Sequence, residues 1–210
     1  SGTYTNTGNL TFTNTGTGAF TVSGTVLNSG NVTFNANNAQ AFTVSAPYFN
    51  PTGAVGNSGT GTGVTAISTN IGPAVTDIIQ NSATSALVLS GVNRNTGALQ
   101  VNAGIVQLTQ PSALLDNNIS DWTSTRIIVG AGAALGVSVG GASGFTSDDL
   151  DHLLSLGTLS GGFMNGSTVA IDTTGAGGSF IYGGISNTNA GANQLGLTKL
   201  GNGTLVLTGN

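Results

Sequence analysis

Asp148, Asp149, Asp151 and His152 form the one dense polar cluster in this chain. Carboxylates beside an imidazole can serve as general acid and base, a chemistry used on polysaccharides. Asp148 and Asp151 also stand one helical turn apart, a spacing open to a weak Ca²⁺ contact. Calcium wants six to eight oxygen ligands, more than three carboxylates on one short helix supply. The same residues have a simpler reading. Thr146 or Ser147 can cap a helix, the Asp residues fall in its first turn, and Gly157 supplies the stop. The spacing alone satisfies helix-end electrostatics. No catalytic, cofactor-binding or metal-ligating residue is therefore assigned, and no enzyme is expected.

A second group is Trp122 with Arg126 and nearby Asp121. Exposed Trp and Arg can anchor a sugar or a partner; a lone Trp can equally cover the side of the fold where the chain bulges. Rows of Thr are a third possibility. Thr11 beside Thr33, and Thr21 beside Thr43, would form outward ladders of the flat kind that can bind ice. Only two units repeat this way, and Thr also suits any exposed strand.

The elements that hold these groups are read from composition and repeats. Gly, Thr, Asn and Ser make up 109 of the 210 residues, and only ten residues carry charge, for a net −4. No basic patch exists for phosphates, so nucleic acid is not an expected partner. There is no Cys and one His, so neither a disulfide framework nor a structural zinc site is expected. Glu is absent and Lys and Arg are scarce, which disfavours a helical protein. Hydrophobic residues reach 38% and are regularly spaced, which argues for strands and against disorder.

Gly8-Asn9-Leu10-Thr11-Phe12 recurs as Gly30-Asn31-Val32-Thr33-Phe34, and Ala19-Phe20-Thr21-Val22-Ser23 recurs as Ala41-Phe42-Thr43-Val44-Ser45. Both pairs are offset by 22 residues. Apolar and polar residues alternate inside each, as in strands with one buried face. Two short strands per unit, stacked on a copy, describe one coil of a β-solenoid. The expected register sets Leu10 under Val32, Phe12 under Phe34 and Phe20 near Phe42, with Gly and Asn at corners that need positive φ. A β-sandwich also fits strands at this spacing, but has no reason to repeat side-chain type at a fixed offset.

Residues 46–76 contain Pro47, Pro51, Pro73 and the run Gly59-Thr60-Gly61-Thr62-Gly63. They read as an irregular loop or a distorted coil leaving the stack. Residues 127–147 are uncharged, but six glycines and two strand patterns argue against a membrane span. The only helix predicted lies near 147–156.

The stretch Leu197-Thr198-Lys199-Leu200-Gly201-Asn202-Gly203-Thr204-Leu205-Val206-Leu207-Thr208-Gly209-Asn210 resembles the opening of an autotransporter-associated β-strand repeat, also called the passenger-associated transport repeat. A second copy lies within 83–115, matching at Leu87, Leu89, Gly91, Asn93, Thr96, Gly97, Val101, Gly104 and Leu108. It departs at Ser85, Asn95 and Leu99, where Gly, Tyr and Thr are usual. The resemblance implies a right-handed parallel β-helix on the exterior of a double-membraned bacterium, in a much longer chain.

The combined expectation is an all-β, right-handed parallel β-helix of about seven to nine coils with one short helix near 147–156. At about 4.8 Å per coil it would span roughly 35–45 Å. Residues 1–210 form a single segment of a longer chain. Its expected role is a structural or adhesive extracellular scaffold, a rigid passenger or stalk. Alternatives are a subunit of a self-assembling filament and a carbohydrate-active β-helix enzyme. Expected partners are neighbouring coils of the same or identical chains, in head-to-tail assembly, and a surface glycan or host ligand.

Overall fold

A computed structural model describes residues 2–209. Ser1 and Asn210, the two ends of the segment read above, lie outside the described residues. Two parallel sheets run the length of the molecule. Sheet one stacks seven strands: β2 (Leu10–Asn14), β5 (Val32–Ala36), β7 (Val55–Asn57), β9 (Ile78–Gln80), β11 (Leu99–Val101), β13 (Ile127–Val129) and β15 (Gly162–Phe163). Sheet two stacks eight: β3 (Phe20–Val22), β6 (Phe42–Val44), β8 (Thr65–Ile67), β10 (Leu87–Leu89), β12 (Ile105–Leu108), β14 (Ala134–Ser138), β16 (Thr168–Asp172) and β18 (Gly196–Leu200). The chain alternates between them, so each coil lies on the one before. This is the parallel β-solenoid the 22-residue repeat predicts.

The predicted register holds. Leu10 pairs Val32, Phe12 pairs Phe34 and Phe20 pairs Phe42. Phe12 and Phe34 stack with ring centroids 5.6 Å apart, and Phe20 and Phe42 at 4.7 Å. Phe34 and Phe42 then meet edge to face across the interior at 5.3 Å. Both are fully buried, each worth about 1.5–3 kcal/mol of apolar burial. Thr11 over Thr33 and Thr21 over Thr43 form the expected outward ladders, which stop at Gly56 and Ala66 in the next coil.

A third row was not read from the sequence. β1 (Thr3–Tyr4) pairs β4 (Thr25–Val26), and single bridges continue Val26 to Phe49, Ile71 and Asn93. From Val26 onward each rung contributes one buried residue and little alternation. The row closes the third side of the first five coils. Near the other end, β17 (Ser179–Tyr182) pairs β19 (Thr204–Leu207) in parallel.

The reading of 46–76 as an irregular loop or a distorted coil leaving the stack is corrected. The segment contributes Phe49, β7, β8 and Ile71, all paired in register with the coils on either side. Pro47, Pro51 and Pro73 stand at corners outside named strands, where a missing N–H costs no ladder bond. The glycine run crosses a corner against the previous coil: a Cβ on Gly61 would enter the backbone of Asn38.

The expected positive φ holds at corner glycines Gly104, Gly132 and Gly166, at 60, 75 and 79°, and is corrected for the earlier coils. Among the described residues before Gly104, no glycine has positive φ. Several of them answer instead to close packing between coils. A Cβ built on Gly53 would lie 2.7 Å from the amide nitrogen of Asn31, and one on Gly30 2.6 Å from the Gly8 carbonyl carbon. Corner Asn and Asp side chains make the matching bonds. Asn9 Oδ1 accepts from Asn31 N at 3.1 Å, Asn31 Oδ1 from Ala54 N at 2.9 Å, and Asp77 Oδ1 from Ala98 N at 2.8 Å. Each bond joins one coil to the next.

The helix α1 (Ser147–Ser155) forms where predicted, capped by Thr146. Leu150 and Leu153 are its buried residues. The uncharged stretch 127–147 forms β13 and β14, and no described helix is long and apolar enough to cross a membrane.

Candidate functional site

Connections from sheet one to sheet two are short along the whole stack: five residues at 15–19 and three at 102–104. None of these connections carries a charged side chain. Connections from sheet two back to sheet one behave differently. They hold nine or ten residues in the first four coils, then 18 at 109–126 and 23 at 139–161. After β16, residues 173–195 intervene before β18. The insertions stack on the third side, where the single-residue row ends. Asn93 bonds to Ser112 and Ala113 of the first insertion, at 3.0 and 2.6 Å. His152 Nε2 of the second lies 3.2 Å from the Trp122 carbonyl of the first. The Tyr182 hydroxyl of the third donates to Asp151 of the second at 2.6 Å.

Chemistry is concentrated on this face. Eight of the ten charged residues lie in the sheet-two-to-sheet-one connections, the exceptions being Asp172 and Lys199. Among the described residues, all five non-glycine residues with positive φ lie in two of the insertions: Leu115, Asp116, Asn117, Asn189 and Ala190. Clefts open along the insertions too. In repeat architectures, insertions gathered on one face commonly make the binding surface.

The first insertion is built on a buried anchor. Trp122 is 1% exposed. Its indole N–H donates to the Leu114 carbonyl at 3.2 Å, and its ring lies 6.0 Å from Phe145 and 6.1 Å from His152. Of the two readings of this Trp, the covering one fits and the exposed anchor does not. Next to it, Leu115, Asp116 and Asn117 take φ of 50, 56 and 57°. A left-handed backbone costs a non-glycine residue roughly 1–2 kcal/mol. Burial of Leu114 and Leu115 holds the turn in place.

This turn sets Asp116 against Arg94 of the coil beneath, with Nε to Oδ2 at 2.9 Å. Arg126 pairs with Asp121 at 2.8 Å, and donates from Nη2 to Asn95 O at 2.9 Å and from Nε to Gly97 O at 3.3 Å. Asn118 donates to the second Asp121 oxygen at 2.9 Å. Sequence reading grouped Asp121, Trp122 and Arg126, and the structure keeps the ion pair of that group. It missed Arg94 and Asp116, although their separation of 22 residues is the coil period.

The cluster Asp148, Asp149, Asp151 and His152 is dispersed by its partners. Asp149 closes a capping box, accepting from Thr146 N at 2.8 Å while Thr146 Oγ1 accepts from Asp149 N at 3.2 Å. Asp151 faces Tyr182, and His152 faces Trp122. Burial, with the Asp151 carboxylate as acceptor and neighbouring charge, pushes the Tyr182 phenol upward, so it stays a neutral donor. No group of three or more His, Asp, Glu or Cys comes together among the described residues. The arrangement of the cluster is that of a capped helix pinned to its neighbours.

Asp172 is a further engaged carboxylate. It accepts from Thr174 N and Oγ1 at 2.9 and 2.6 Å, from Gln107 Nε2 at 2.8 Å and from Ser138 Oγ at 3.2 Å. Burial pushes its pKa up, but these hydrogen bonds outweigh burial and hold it below the usual carboxylate value. With Gln107 on β12, Ser138 on β14 and Asp172 on β16, the carboxylate clasps three successive strands.

No family model, no curated protein and no solved structure matches this chain.

Proposed function

We propose that the chain is a rigid module of an extracellular surface protein, a stalk or passenger segment of the autotransporter-repeat kind. It presents one decorated face to its surroundings. The observation that carries this reading is the division of labour between the two types of connection. One set is short and uncharged, and keeps coil on coil. The other holds the insertions and nearly all the charge. A rod rich in hydroxyl and amide groups stays hydrated with little charge. Antibodies raised against residues 1–210 should label intact cells of the source organism. Labelling only after permeabilisation would overturn the reading.

A second reading is a subunit of a self-assembling filament. The outer rungs favour it: Leu197 and Leu207 are exposed on one, and Phe20 is only partly covered on the other. Unpaired strand edges recruit further strands. Further coils of the parent chain would cover them equally well. Electron microscopy of the native material separates the two, since regular polymers favour the filament and isolated rods the stalk.

A further inference from the structure

We infer that the cleft between Arg94, Asp116, Asp121 and Arg126 binds a neutral, hydroxyl-rich glycan. This rests on the surface-module reading and names the ligand class of its decorated face. The cleft encloses about 260 Å³. That is below the roughly 300–1,000 Å³ of sites for larger organic ligands, and suits a ring-sized group rather than an extended cofactor.

Its charges are balanced. Two guanidinium groups pair with two carboxylates, so an anion meets Asp116 and Asp121 while a cation meets both Arg residues. A neutral ligand meets no such opposition. The two ion pairs are not equivalent. Arg126 uses all three of its nitrogens, on Gly97, Asn95 and Asp121. Both Asp121 oxygens are likewise engaged, by Arg126 and Asn118. This pair positions the loop. Arg94 uses only Nε, and Asp116 only Oδ2. The Nη groups of Arg94 and Oδ1 of Asp116 have no protein partner among the described residues. Their side chains are 50% and 44% exposed.

A planar edge of donors beside a carboxylate acceptor complements adjacent hydroxyls, each of which both donates and accepts. The left-handed turn at 115–117 is the independent observation. It fixes Asp116 in a backbone conformation that a surface ion pair alone does not demand, and such conformations gather at binding sites.

The test is calorimetric titration of the intact chain with maltohexaose, xylohexaose, mannohexaose and cellohexaose, with hexagalacturonate as the charged comparator. At least one neutral oligosaccharide should bind. Arg94→Ala and Asp116→Ala should each weaken that binding tenfold or more, and Arg94→Lys, which keeps charge but loses the fork, should weaken it as well. Asp148→Asn, elsewhere on the face, should leave it unchanged. Thermal melts identify any variant that fails to fold, and Arg94→Lys then decides. Absence of neutral binding at millimolar sugar, preference for hexagalacturonate, or undiminished binding by the variants would overturn the proposal. None of these results bears on intact-cell labelling, so this site and the surface-module reading fail separately.

Discussion

Asn57 donates from its side-chain amide to Gln80 Oε1 at 2.8 Å, one coil apart, in the centre of the solenoid. Both residues are fully buried. Their column reads Phe34, Asn57, Gln80, Val101 through the stack, so an amide pair interrupts an apolar core. Thr65 Oγ1 donates to Asn57 Oδ1 at 2.9 Å, and Gln80 Nε2 donates to Ser85 O at 2.7 Å.

This pair predicts a non-additive mutant series. Asn57→Ala leaves Gln80 Oε1 and the Thr65 hydroxyl without their partner, and should destabilise by about 1–3 kcal/mol. The double variant Asn57→Leu/Gln80→Leu extends the apolar column and should lose less than the sum of its single variants. Urea denaturation midpoints check the order.

Close coil packing predicts position-dependent tolerance of glycine. Gly53→Ala forces a methyl group against Asn31 and should cost about 1–3 kcal/mol. Gly18→Ala, whose added Cβ meets nothing within 4 Å, should change the melting temperature little.

Acid should weaken the three-strand clasp at Asp172. Its folded pKa lies below its ordinary value of 3.8. Its contribution is therefore complete above that value and is lost as pH falls through the lower, folded one. Stability followed from pH 6 to pH 2 should decline over the lower part of that range. Asp172→Asn should start less stable at pH 6 and decline less.

Thr146→Ala removes the side-chain half of the capping box and should cost about 1 kcal/mol, felt first in α1. Trp122 is the chain's single Trp and lies 6.1 Å from His152 of that helix. Its emission should redden at lower denaturant in the variant. Coincident unfolding of α1 and the sheets, unchanged from the parent, would count against this.

Much of the rod was legible because the first two coils repeat their side chains. Phe12 and Phe34, or Thr21 and Thr43, announce both period and facing. The third row was not, because Val26, Phe49, Ile71 and Asn93 share no side-chain type and stand singly, without alternation. Residues 46–76 misled because Pro and Gly punctuate most chains. Here proline occupies corners, and glycine marks contact between backbones rather than a break. The helix and its cap followed from Thr146, the Asp-rich first turn and Gly157. Arg94 and Asp116 escaped notice because Arg94 is not a matched position of its repeat copy and Asp116 lies just past that copy; only the coil period joins them.

The insertions hang from corners whose flanking strands pair with their neighbours whether 9 or 23 residues intervene. Closing the longer connection adds only about 0.8 kcal/mol of chain entropy. Loop and rod are thus nearly independent variables. A lineage could lengthen, shorten or rewrite the displayed segments while the spine beneath stays constant, and an engineer could graft foreign segments at 109–126 or 139–161 on the same terms.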